Sequence, residues 1–188
     1  MGRLETYHSP VRLFTAIDIP ADILATLTDL LRHLKPLARF HWSPPENLHI
    51  TTKFIGEWAA NDYPHLVKVL RTVPRTGPID IAVRGLGWFP NPHHPRAFFA
   101  AIQAPKALAD LAATTTESCE AIGVEKEDRP YTPHLTLARI KDTTGLVDLR
   151  RAVANLPSLD FGQFTARSFW LYESDRSKYT KLEEFPLQ

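Results

Sequence analysis

The sequence predicts an α+β fold, built as two similar halves that pack face to face with a cleft between them. Three observations carry that expectation. Apolar residues recur with period 2 in some stretches and at helical spacing in others. The order of these stretches runs helix, strand, helix, strand, strand, and does so twice. Corresponding elements lie 84 or 85 residues apart, with helices starting at 21 and 105 and strands at 48 and 133. Two copies make a duplication, too few for a solenoid. A chain of 188 residues with 44% apolar content suffices for one domain, or for two small lobes sharing one core.

Val11 to Asp18 is densely apolar and reads as a strand. A helix follows to about Leu34, with Ile23, Leu27, Leu30, Leu31 and Leu34 on one face, Asp18 as its expected N-cap and Pro20 near its first position. Residues 43–47 contain Pro44-Pro45 and form a loop. Leu48 to Ile55 is a strand closed by Gly56, and Asn61-Asp62 with Pro64 opens a helix to about Thr72. Ile79, Ile81 and Val83 alternate as a strand that the Pro-rich loop 89–95 joins to another at 96–103. The second run has a helix at 105–122 closed by Gly123 and a strand at 133–140. A helix at 144–155, a strand at 159–172 and a last strand at 179–186 complete it.

A net charge of +1 argues against a non-specific duplex binder, while leaving room for a small anionic substrate. The lone cysteine, Cys119, excludes an intrachain disulfide and a Cys-rich metal site, and its place on an apolar helical stripe makes it a core residue. The N-terminal stretch lacks an apolar signal region and no run reaches membrane-spanning length, so a cytoplasmic protein is expected. Met1, Gly2 and Thr6 match a myristoylation pattern formally, a weak signal. Gly85-Leu86-Gly87 lacks the rest of a phosphate-loop pattern, so no site of that type is expected.

Each half carries His-x-Thr on its equivalent strand, His49-Ile50-Thr51 and His134-Leu135-Thr136, and the histidines are 85 residues apart like the strands that hold them. Residues i and i+2 of a strand share a face, so each histidine projects with its threonine. Two such strands on one cleft would surround a phosphate with two imidazoles and two hydroxyls. Hydroxyls donate to non-bridging oxygens, one imidazole takes a proton from water, and the imidazolium donates to the leaving oxygen. An ordinary histidine pKa of about 6.5 makes one neutral and one charged partner accessible near neutral pH. Lys53 shares the parity of His49 and Thr51 and could add charge. Arg139 has the wrong parity for a flat strand and reaches the cleft only if the strand bends, bulges or ends there.

At these residues the chain resembles the 2H phosphoesterases, in particular the bacterial RNA 2′,3′-cyclic phosphodiesterases also known as LigT-like 2′–5′ RNA ligases. The likeness spans Arg12 to Pro20, Trp42 to Gly56, Gly87 to Pro92 with Pro95-Arg96, Pro133 to Arg139, and Leu171 to Ser174. It implies a bilobal fold with two antiparallel-rich sheets flanking the cleft and helices on the outer faces. A single domain over 1–188 is expected, with pseudo-twofold lobes of about 11–103 and 104–188 whose strands can exchange. It also implies metal-free, cofactor-free hydrolysis of RNA 2′,3′-cyclic phosphate ends, or of small cyclic nucleotides, to 2′-phosphates. By this resemblance His49 protonates the leaving 3′ oxygen, His134 activates water, and Thr51, Thr136 and Arg139 hold the phosphate. The pseudo-symmetry leaves the acid and base roles to the family alone. Phe14 is open to two roles, stacking on the nucleobase or filling the core. Thr52 departs from the apolar residue the family often has there. The 2′–5′ ligation reaction is the same chemistry reversed, with a 5′-hydroxyl replacing water. Nothing implies a membrane, an obligate protein partner or more than a monomer.

Two other readings compete. A metal-dependent phosphohydrolase would draw on His41, Glu46, His93, His94 and Asp128, but these have no metal-binding spacing. A non-catalytic single-stranded RNA-binding module would stack bases on exposed aromatics.

Overall fold

The computed structural model describes residues 10–176 and 178–188, so the formal myristoylation pattern lies outside the described residues. Among the described residues, nine strands and four α-helices form an α+β fold with two antiparallel sheets. The strands are β1 (Val11–Asp18), β2 (His41–Trp42), β3 (His49–Trp58), β4 (Ile79–Phe89), β5 (Ala97–Gln103), β6 (His134–Arg139), β7 (Asp160–Ala166), β8 (Ser168–Asp175) and β9 (Lys178–Pro186). The helices are α1 (Ala21–Leu34), α2 (Tyr63–Leu70), α3 (Lys106–Glu120) and α4 (Leu146–Ala154).

One sheet has the order β3-β1-β8-β9 and the other β2-β6-β5-β4-β7. In both, the His-x-Thr strand lies beside the strand that feeds a long helix, β3 beside β1 and β6 beside β5. Each sheet takes strands from both ends of the chain, which therefore passes between the sheets at β1–β2, β2–β3, β3–β4 and β7–β8.

The backs of both sheets share one apolar core. Leu13, Ile17 and Ile50 from the first and Phe98, Ala100 and Leu135 from the second meet the buried stripes of α1 and α3 there. Each fully buried Leu or Ile contributes about 1.5–3 kcal/mol, so these stripes, more than helix propensity, hold α1 and α3 in place. Helix α3 ends as Gly123 predicts. Gly123 sits at φ +95° while Gly123 N–H and Val124 N–H bond Glu120 and Cys119 oxygens at 3.0 and 3.1 Å. Cys119 is buried, and desolvation raises its thiol to about 11.

Two expectations need correction. The stretch 159–172 is two strands: β7 pairs with β4 up to Ala166, and β8 begins at Ser168 opposite Pro186 in the other sheet. Arg167 between them gives its carbonyl to Leu187 N–H at 2.9 Å. A continuous apolar rhythm cannot reveal a strand that changes sheets. Asp18 does not cap α1, which has Pro20 at that place and no side-chain cap; the Asp18 carboxylate instead accepts from the Tyr172 hydroxyl and pairs with Lys181. Residues 41–42, unassigned from sequence, form β2 against β6. Among the described residues no helix is long and apolar enough to cross a membrane.

Candidate active site

His49 and His134 open β3 and β6, which approach to within 8 Å between Cα atoms. Tyr131, just before β6, ties the two together by donating its hydroxyl to the Thr51 carbonyl at 3.1 Å. Each histidine is oriented by the residue two positions earlier. The Nδ1 of His49 lies 2.7 Å from the Asn47 carbonyl oxygen, and the Nδ1 of His134 lies 2.7 Å from that of Thr132. A carbonyl only accepts, so both Nδ1 atoms carry a proton and both Nε2 atoms remain for a substrate. Aromatic rings fix the imidazoles laterally. Phe14 and Tyr179 lie 4.7 and 5.2 Å from His49, and Phe89 and Phe99 lie 4.8 and 5.5 Å from His134. Gly87 makes room for the Phe99 ring, since a Cβ there would meet it at 2.3 Å.

Beyond each threonine the strand bulges. In β3, Thr51 and Lys53 face consecutive residues Ala16 and Thr15 of β1, so Thr52 is extra; in β6, Thr136 and Ala138 face Phe99 and Phe98 of β5, so Leu137 is extra. Each bulge reverses the face of the residues that follow it. Both strands consequently show one burial sequence, in which the histidine and threonine are half-buried, the next pair is buried, and position 54 or 139 is exposed. The bulge thus returns Arg139 to the face of His134 and Thr136, as its parity required. The same device turns Lys53 away. Its side chain is 2% exposed and donates to the Glu125 carbonyl at 3.1 Å, so the expectation that it adds charge to the cleft is corrected. Phe54, 54% exposed, takes the place on β3 that Arg139 takes on β6. Phe14 is 3% exposed and stacks on Tyr172 at 5.1 Å, so it supports His49 from below and offers no open face to a nucleobase. The buried hydroxyls of Thr15 and Thr52 meet at 2.7 Å, which satisfies the polar residue at the first bulge.

Both imidazoles titrate below the ordinary histidine range, chiefly because burial disfavours their charged forms. The Arg139 charge pushes both in the same direction, and His134 also lowers His49, as expected of groups around one small volume. Their backbone hydrogen bonds oppose the shift, and Asp18 also raises His49; among the described residues no acidic group raises His134. Asp18 stands directly across from His49 in the β1–β3 ladder.

Tyr131, Phe54 and Asp18 were not singled out as site residues from sequence. The 85-residue offset from Arg139 leads to Phe54 and would have found it. The contacts of Tyr131 and Asp18 are tertiary and leave no sequence signal. Among the described residues, no three His, Cys, Asp or Glu side chains cluster as metal ligands; His93 and His94 lie exposed, their backbone N–H groups bonded to Asn91 Oδ1 at 2.9 and 3.0 Å.

Paired His-x-Thr strands converging from two sheets define a two-histidine phosphoesterase. The chain belongs to the LigT-like phosphoesterase family, whose model matches residues 17–99 and 101–180. The RNA 2′,3′-cyclic phosphodiesterase of Methanocaldococcus jannaschii is 32% identical over 164 residues, 87% of this chain and 91% of the relative. That of Thermus thermophilus is 31% identical over 190 residues, 95% of this chain and 91% of the relative. Among solved structures, TT0787 of Thermus thermophilus superposes with a TM-score of 0.76 at 29% identity, covering 94% of this chain and 97% of that one. LigT of E. coli, crystallised with 3′-AMP, gives a TM-score of 0.79 at 24% identity over 95% of this chain and 99% of that one, a likeness of fold.

Proposed function

We propose that this protein is an RNA 2′,3′-cyclic phosphodiesterase that opens the cyclic phosphate to a 2′-phosphate by acid–base catalysis between His49 and His134. The observation that carries the reading is the matched Nδ1 bonding of the two rings, which leaves two Nε2 atoms on facing strands. Water attacks phosphorus as His134 Nε2 takes its proton. The P–O3′ bond breaks as the imidazolium of His49 donates its Nε2 proton to O3′. His134 then releases its extra proton to solvent, and solvent reprotonates His49. The assignment of acid and base rests on one asymmetry of charge: Arg139 lowers both rings, but Asp18 favours a proton on His49, whereas His134 has no acidic neighbour among the described residues. Thr51, Thr136 and Arg139 bind the non-bridging oxygens, where a guanidinium matches phosphate geometry. Phe54 offers an open ring to the nucleobase, whose stacking is worth about 1–3 kcal/mol. The chain acts as one domain, as a cytoplasmic monomer without metal or cofactor. A 5′-hydroxyl in place of water would run 2′–5′ joining over the same groups.

The test is incubation with an oligoribonucleotide ending in a 2′,3′-cyclic phosphate, with and without EDTA, followed by identification of the product isomer. A 2′-phosphate formed at equal rates in both is expected. A 3′-phosphate product, or activity lost with EDTA and restored by a divalent ion, would overturn the mechanism.

A further inference from the structure

A depression of about 540 Å³ opens beside His49 and reaches across the sheet to the start of β9. Glu46 and Asn47 wall it on the β3 side, Lys178, Tyr179 and Lys181 on the β9 side, and Asp18 lies between. The reaction at the histidines does not use it.

We propose that this groove binds the nucleotide preceding the cyclic phosphate, and that Lys178 pairs with the phosphodiester joining it to the terminal nucleoside. The inference rests on the reading of His49 as the group that protonates O3′. The ribose then sets the direction of the RNA. Its base hangs from C1′, next to C2′; its 5′-phosphate hangs through C5′ from C4′, next to C3′. With O3′ at His49, the 5′ chain emerges on the His49 side and the base on the other. The 5′ chain is thereby directed into the depression that His49 itself lines.

The chemistry of the walls suits a nucleotide. Lys181 is engaged by Asp18 and lies over the Trp170 ring at 4.6 Å, whereas Lys178 is exposed and joins no ion pair among the described residues. An ammonium so placed meets a phosphodiester as a point charge. Tyr179 brings an aromatic ring, and Glu46, at the opposite edge, offers an acceptor to the 2′-hydroxyl that distinguishes RNA from DNA.

The experiment compares kcat/KM for adenosine 2′,3′-cyclic phosphate, for the dinucleotide ApA ending in the same cyclic phosphate, and for that dinucleotide with an uncharged methylphosphonate linkage. The wild-type protein is expected to favour the charged dinucleotide over the mononucleotide by about tenfold, as one charge-assisted contact allows. The methylphosphonate and Lys178→Ala should each remove most of that preference, while the variant keeps the wild-type rate on the mononucleotide. Equal kcat/KM for all three wild-type substrates, an undiminished preference in the variant, or an equal loss on every substrate would overturn the subsite. Failure of the wild-type protein to open any of the three would instead refute the cyclic phosphodiesterase reading, and the subsite with it.

Discussion

Asp18→Asn separates the two histidines in solution. The variant keeps the side-chain shape and an oxygen for the Tyr172 hydroxyl, but removes the negative charge that raises His49. Asp18 and His49 are ladder partners, which places their Cβ atoms about 5 Å apart and their charges about 6 Å apart. The carboxylate is 34% exposed and also pairs with Lys181, so an effective dielectric of about 40 is appropriate and the interaction is at most about 1 kcal/mol. Solvent screening reduces it further. The sign follows from the proposed roles. Removing Asp18 lowers the pKa of His49, so the required imidazolium is lost at lower pH and the basic limb of the kcat/KM profile moves acidward. The acid limb, set by His134, stays where it was. The wild-type optimum itself should lie on the acid side of neutrality, because burial depresses both rings from about 6.5. The assay is a pH series with a nucleoside 2′,3′-cyclic phosphate under conditions where chemistry limits the rate. Movement of the acid limb instead would exchange the two roles, and a profile unchanged at both limbs would remove Asp18 from the mechanism.

Two further outcomes follow from the geometry. His49→Ala and His134→Ala should each lower kcat by about 10²–10⁴-fold while thermal unfolding and RNA binding persist; a wild-type rate in either variant would remove that residue from the reaction. Gly87→Ala sets a methyl group 2.3 Å from the Phe99 ring, which packs on His134. It should cost about 1–3 kcal/mol of stability and lower kcat together, by calorimetry and kinetics; full kcat in a destabilised variant would show that Phe99 does not position His134.

The chemistry was more legible in the sequence than the geometry that serves it. The repeated His-x-Thr at one offset exposed both the duplication and the histidine pair, because two motifs in equivalent strands need no tertiary information to be linked. Lys53 and Arg139 were harder for one shared reason. Their faces depend on bulges at Thr52 and Leu137, each defined by pairing with a neighbouring strand, and single-strand parity places both residues on the wrong side. Phe14 lay between two roles because an apolar residue on β1 could face either the back core or the cleft. The structure gives it a third position, on the cleft face but sealed beneath His49 and Tyr172. Arg167 and the short β2 were invisible because sheet membership is decided by partners far along the chain.

The repeated passage of the backbone between the sheets has a mechanical consequence. A hinge needs one or two slender connections about which rigid bodies can swing. Here several separate spans stitch the walls, and Tyr131 adds a rivet at the middle. The jaws are therefore held at a set width, and an RNA end must fit a slot that is already cut to size.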